Sequence, residues 1–244
     1  MAIEYLHIDY EPPSRGWLLR IMKRLNESSS STLRERMSTW GSSHLKEMGF
    51  ALTTKLAMLS RVICRVDQQL QRLGEQLNDE ALIDKCIRRG AAYKITDKTL
   101  PYELLTDIDS FLFESRSAYE IVGHFLCQFF DHILKRRINE AQLKKLLDAR
   151  NIDTRWIEEL RCDRILFFHN TTPWLALEFV SRKPFRFELL ILKKNVNDFT
   201  NPDDYIRFEQ LRAIHRGFES SLNALHQWIL EQIQEFETLE RAER

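Results

Sequence analysis

Glycine and proline are scarce in this sequence, at 7 and 6 residues among 244. A β-sandwich draws on both for its many tight turns, so the shortage points to helices joined by a few loops. Cysteine is equally thin: Cys64, Cys86, Cys127 and Cys162 lie far apart and form no C-x-x-C pair. That spacing argues against a zinc site or a disulfide framework, and the three that lie in apolar or helical-looking stretches are expected as small buried hydrophobes. No stretch approaches the ~18 uninterrupted apolar residues of a membrane span. The start MAIEYLHIDYEPP carries acidic residues and no apolar run, unlike a signal peptide, so a cytoplasmic location is expected. An excess of positive charge is missing too. Lys+Arg and Asp+Glu both total 36, whereas a binder of long duplex DNA needs a basic surplus to replace condensed counterions. A compact RNA site stays open, because a few arginines supply it without moving the net charge.

What is present fits a folded chain: 43% hydrophobic and 30% charged residues. Residues 1–42 read as an extended arm ending at Pro12-Pro13 and a short helix over Trp17–Leu25, followed by a serine-rich loop in which Ser31 or Thr32 caps the next element. From 43 to 244 the pattern is a helical bundle interrupted once. Leu52, Leu56, Leu59, Ile63, Val66 and Leu70 recur at spacings of three and four, the stripe of a long helix from Ser43 to Leu73. A shorter helix, Asp79–Arg89, comes after it. The same periodicity runs from Tyr102 to Arg137, opened by Pro101 at a first-turn position. Asn139 caps a short helix and Asp153 caps another, which Pro173 stops. Leu175–Val180 and Phe185–Leu192 are rich in β-formers around Ser181-Arg182-Lys183-Pro184, which predicts a β-hairpin over 175–192. A final helix starts at Asp203 or Asp204 and runs nearly to the end. The fold class is mainly α, a bundle with one small hairpin.

One segment carries a suggestion of chemistry. In the helix after Asp153, Arg164 lies four residues after Leu160 and four before Phe168, so it falls on the apolar stripe. A guanidinium there needs a carboxylate, a phosphate or a polar pocket. Arg161 points nearly the same way one turn earlier. His169 falls in the last turn, where helix carbonyls favour the protonated imidazole, and Asn170 comes next with hydrogen-bonding groups. On an ideal helix Arg164 and His169 stand about 140° apart. They converge on one substrate only if the helix end unwinds, as Thr172-Pro173 would cause, or if two protomers each supply groups.

An Arg, four intervening residues and a His near the end of a bundle helix resemble the signature of the HEPN superfamily, as does the order of helices from Tyr102 onward. The resemblance implies a homodimer in which two motifs face one cleft, acting as a metal-independent endoribonuclease with no cofactor. By that resemblance His169 is the general acid or base and Arg164 clamps the scissile phosphate, with RNA or a nucleotide as ligand and a protein antitoxin or regulator as partner. Active members often carry Asn, Asp or His directly after the arginine; here that position is Ile165, and Asp163 precedes instead.

Glu114, Arg116 and Glu120 have spacings that allow intrahelical ion pairs, and either carboxylate would orient Arg164 or His169 from the neighbouring helix. With Arg161 and Asn170 they complete the expected substrate-binding set. His124 and His132 lack a third ligand, so no metal site is expected. His215 reads as a core or interface histidine, Arg182, Lys183 and Arg186 as a solvated turn, and Trp174 as packing the hairpin onto the bundle. The competing expectation is a catalytically silent helical interaction module, with Arg164 in a buried salt bridge.

Overall fold

The computed structural model describes residues 16–40, 42–77, 79–169, 173–182, 185–193 and 199–242, without the side chains of residues 16, 42–46, 140, 164–169, 182 and 185. The arm expected over residues 1–13 lies outside them. Eight α-helices are described: α1 (Gly16–Asn26), α2 (Ser31–Thr39), α3 (Ser42–Gln76), α4 (Glu80–Arg89), α5 (Leu100–Phe129), α6 (Glu140–Ala149), α7 (Arg155–His169) and α8 (Phe208–Ala242). A small antiparallel sheet joins them, of β1 (Trp174–Arg182), β2 (Phe185–Leu192) and β3 (Tyr205–Arg207) in that spatial order.

Local chemistry sets most boundaries. Ser30 caps α2, its hydroxyl accepting from the Leu33 N–H, one residue before the expected Ser31 or Thr32. The Asp79 side chain caps α4, and Gly90 ends it at φ 61, a left-handed conformation that glycine adopts without a Cβ penalty. Asn139 and Gln142 form a reciprocal capping box on α6. The helix expected to run from Tyr102 to Arg137 stops being α-helical at Phe129 and closes with a π-helical turn over Phe130–Leu134, ended by Lys135 at φ 54.

The core is one cluster that draws Leu18, Ile21 and Leu25 of α1 and Leu33 and Met37 of α2 into contact with the longer helices. The segment before residue 43 therefore holds two packed helices rather than one. Trp17 Nε1 donates to the Leu222 carbonyl at 2.9 Å, and Arg24 forms a two-pronged pair with the buried Glu237, fastening α1 along α8. That pairing and hydrogen bonds from Ser28 and Ser29 hold the Glu237 carboxyl at about 2, well below its ordinary value.

α3 and α5 run antiparallel, tied by Lys55 to Glu114, Arg65 to Asp107 and Arg72 to Glu103, so residue numbers rise on one helix as they fall on the other. Gln69 donates to the second oxygen of Asp107 at 2.7 Å, which leaves that buried carboxylate doubly bonded.

β1 and β2 pair from Trp174↔Leu192 to Arg182↔Phe185, with a slip between Phe179 and Ser181. Leu189, Ile191 and Ile206 face the main core, while Leu190, Leu192 and Tyr205 form a second cluster on the other face, the alternation of a pleated sheet. Trp174 does not pack the hairpin onto the bundle: it is 56% exposed, and the sheet docks through Leu175 and Leu177 of β1 together with residues of β2 and β3. The last helix does not begin at Asp203 or Asp204. Pro202–Asp204 is a 3-10 turn capped by Asn201, and Tyr205 and Ile206 bury on opposite sheet faces before α8 starts at Phe208. Nor are the cysteines buried: Cys64 and Cys162 are exposed, Cys86 and Cys127 half-buried, because each sits off the buried stripe of its helix. No described helix is long and apolar enough to cross a membrane.

α7 is locked to α8 by a close approach at Gly217, where an added Cβ would stand 2.5 Å from Cδ1 and 2.7 Å from Cγ of Trp156. Gly217→Ala is expected to destabilise the protein by about 1–3 kcal/mol through overpacking, more than offsetting the ~1 kcal/mol by which alanine favours a helix. Chemical denaturation checks this; an unchanged or raised midpoint would show that Trp156 does not hold α7 there.

Candidate functional site

α7 buries one face, through Trp156, Leu160 and Asp163 at spacings of four and three. The Trp156 ring meets Tyr119 of α5 edge-on at 5.6 Å and Phe218 of α8 at 5.4 Å, and its Nε1–H donates to Ser221 Oγ at 3.1 Å. The helix that carries the motif is thus wedged between α5 and α8. Its backbone stays helical through Arg164 to His169. The side chains of Arg164 and His169, and the whole of Asn170, lie outside the described residues.

That continuity decides one geometric question. Five residues of unbroken helix separate the two motif positions by about 7.5 Å along the axis and about 140° around it. The helix does not unwind before His169, and the end of the helix toward Thr172 lies outside the described residues.

The other expected site residues all have partners within the chain. Glu114 is buried and paired with Lys55 of α3. Glu120 is exposed and accepts from Arg116 Nε at 2.7 Å, the intrahelical pair that the spacing allows. Arg161 is exposed and pairs with Glu158 at 2.5 Å, one turn back on the same helix. Among the described residues neither Glu114 nor Glu120 is bonded to α7. Arg182's side chain and Lys183 are outside the described residues, and Arg186 is exposed.

Three other histidines have partners within the chain. His124 lies 2.9 Å from Gln128, His132 stacks on Trp40 at 5.6 Å, and His215 packs near Phe111 with Glu219 at 3.8 Å. Among the described residues no group of His, Cys, Asp and Glu is placed to hold a metal ion. The Cys162 thiol is pushed up by burial and by Glu158, which keeps it protonated and a poor nucleophile.

The residue that the expected set leaves out is Asp163. It is buried beside the motif, and burial pushes its carboxyl from 3.8 up to about 6, with Lys193 drawing it back and Glu159 adding to the rise. The spacing from Trp156 and Leu160 contains the signal, since the next position on that stripe is 163. Asp163 is a carboxylate at the inner face of the motif helix, titrating at about 6.

Comparison with family models, with curated proteins and with solved structures finds no match for this chain. The site therefore rests on its own residues.

The sign of the Asp163 effect comes from its raised value. Between its ordinary value and about 6 the folded state binds a proton that the unfolded chain has released, so stability falls as pH rises through that window. Above it, ionised Asp163 costs the fold up to about 3 kcal/mol. Asp163→Asn is expected to remove this slope and to raise the denaturation midpoint above the window while changing it little below. Parallel pH profiles for the two proteins would rule out a buried, proton-holding Asp163.

Proposed function

We propose that the protein acts on RNA as a homodimer, with a site assembled at the ends of two α7 helices. In this reading His169 is the general acid or base on the 2′-hydroxyl or the leaving oxygen, and Arg164 holds the scissile phosphate through its planar fork. No metal is required, because histidine titrates near neutrality and arginine supplies the positive charge. The observation that carries the reading is the unbroken helix from Arg155 to His169, fixed on both sides by Trp156. It presents an arginine and a terminal histidine at one end of a rigid element, where a second copy supplies the complementary pair.

A second reading has its own support. Glu114, Glu120 and Arg161 are already engaged in ion pairs within one chain. A silent interaction module would use its charges in this way, with Arg164 closing an internal pair.

The readings separate in one assay. The RNA reading expects cleavage of single-stranded RNA in the presence of EDTA, lowered about 10²–10⁴-fold by His169→Ala, the usual worth of a general acid or base. The variant should keep the circular dichroism spectrum of the parent. Cleavage that His169→Ala leaves unchanged, or no cleavage by the parent protein, would remove the assignment and favour the module.

A further inference from the structure

Trp17 and His226 meet where the start of α1 lies along α8. The Trp17 Nε1–H donates to the Leu222 carbonyl at 2.9 Å, and the His226 ring, one turn further along α8, has its centre 6.0 Å from that of the indole. His226 Nε2 is buried and has no hydrogen-bond partner among the described residues. A neutral imidazole tolerates this by carrying its proton on Nδ1, which leaves Nε2 as an unmet acceptor. A protonated ring carries N–H on both nitrogens and so buries a charged donor with nothing to receive it.

The surrounding charges give the ring no relief. Burial, with Arg20 of α1 adding charge of the same sign, holds the imidazole below its ordinary 6.5. Leu222, Asn223, Ile229 and Leu230, three and four positions away on α8, are uncharged, and the acids nearest in sequence on that helix, Glu219 and Glu231, pair with His215 and Arg150. The other cations of α1 are engaged as well, Lys23 with Glu27 and Arg24 with Glu237. α5 reaches this corner through Phe125, edge-on to Trp17 at 5.4 Å, and α3 through Gly49, which lies against Leu18.

The far end of α1 is fastened differently. Arg24 donates to both oxygens of Glu237 at 2.9 and 2.6 Å, and that carboxyl, held at about 2, keeps its charge throughout mild acid. Protonation therefore weakens one fastening of α1 and spares the other.

We infer that α1 is a flap pivoting on the Arg24–Glu237 pair, and that uptake of a proton by His226 frees its first two turns, Trp17 to Lys23, from α8. Opening breaks the Trp17–Leu222 bond, uncovers the buried Leu18 and Ile21 and lets the imidazolium reach water. The open form takes up its proton at the ordinary value and the closed form at a lower one. The open fraction thus grows as pH falls through that window, by at most about tenfold per pH unit. Asp163 acts in the opposite sense, since its protonation stabilises the fold, so a general loosening in mild acid does not account for the opening. The device requires nothing of the α7 site and stands whether or not the chain cleaves RNA.

Hydrogen exchange of the full-length protein, about one pH unit either side of 6.5 and corrected for intrinsic rates, tests it. A freed stretch this short does not stay helical in water, so the amides from Arg20 to Lys23 lose protection about three- to tenfold at the lower pH, while those of α2 and α5 keep theirs. His226→Gln, which stays neutral, abolishes the difference, and Arg20→Gln diminishes it. In an NMR titration of the parent protein the His226 ring titrates below 6.5, and the Trp17 indole N–H signal moves with the same midpoint. Equal protection at the two pH values overturns the inference, as does a loss that His226→Gln retains or one that spreads into α2. A His226 ring titrating at or above 6.5 overturns it without any substitution.

Discussion

The antiparallel contact between α3 and α5 is the constraint on which the other elements depend. α5 supplies much of the core, including Phe111, Phe125 and Phe129, yet it also buries Asp107 and Glu114. A buried carboxylate without a partner costs several kcal/mol, so α5 needs a helix that delivers cations and amides at matching heights. α3 does so with Lys55, Arg65 and Gln69. A shift of one turn would leave both acids unpaired, and the register of the two helices is thereby specified more sharply than apolar packing alone would manage. With that register set, α5 offers Tyr119 to α7 and Phe111 to His215 of α8.

The candidate site inherits this rigidity. Trp156 is held by Tyr119, Phe218 and Ser221 and fills the space over Gly217, so α7 has little freedom to rotate or to melt at its start. An unbroken helix backbone sets positions 164 and 169 about 140° apart around its axis, and the chemistry proposed for them is assigned to a pair of chains. Asp163 lies on the inner side of the same helix, where its charge opposes its burial. The stability of the motif helix and the protonation of a group one residue from Arg164 are coupled as a result.

Much of the fold was legible because it arises from local periodicity. The α3 stripe and the hairpin over 175–192 appear where the spacing of apolar residues and the β-rich runs place them, and Asn139 caps α6 as its position suggests. Tyr205–Arg207 was not legible: three residues are too few to show alternation, and Asp203-Asp204 imitate a helix start. The cap of α2 sits within a run of serines, where sequence alone does not choose Ser30 over its neighbours. In the site, the pairs Arg116–Glu120 and Arg161–Glu158 are given by spacing on a helix, whereas Lys55 as the partner of Glu114 comes from another helix and leaves no local trace. Trp174 and the cysteines misled for a related reason, since residue type predicts burial less well than position on a face.

The central claim is that the Arg164–His169 pair works only between two protomers. Mixing separately purified Arg164→Ala and His169→Ala proteins tests it most directly. Each variant alone should fail to cleave RNA, and the mixture should regain metal-independent cleavage once subunits exchange, because a mixed dimer holds one site with both an intact arginine and an intact histidine. A mixture as inactive as its components, while the parent protein cleaves, would contradict a site shared between chains.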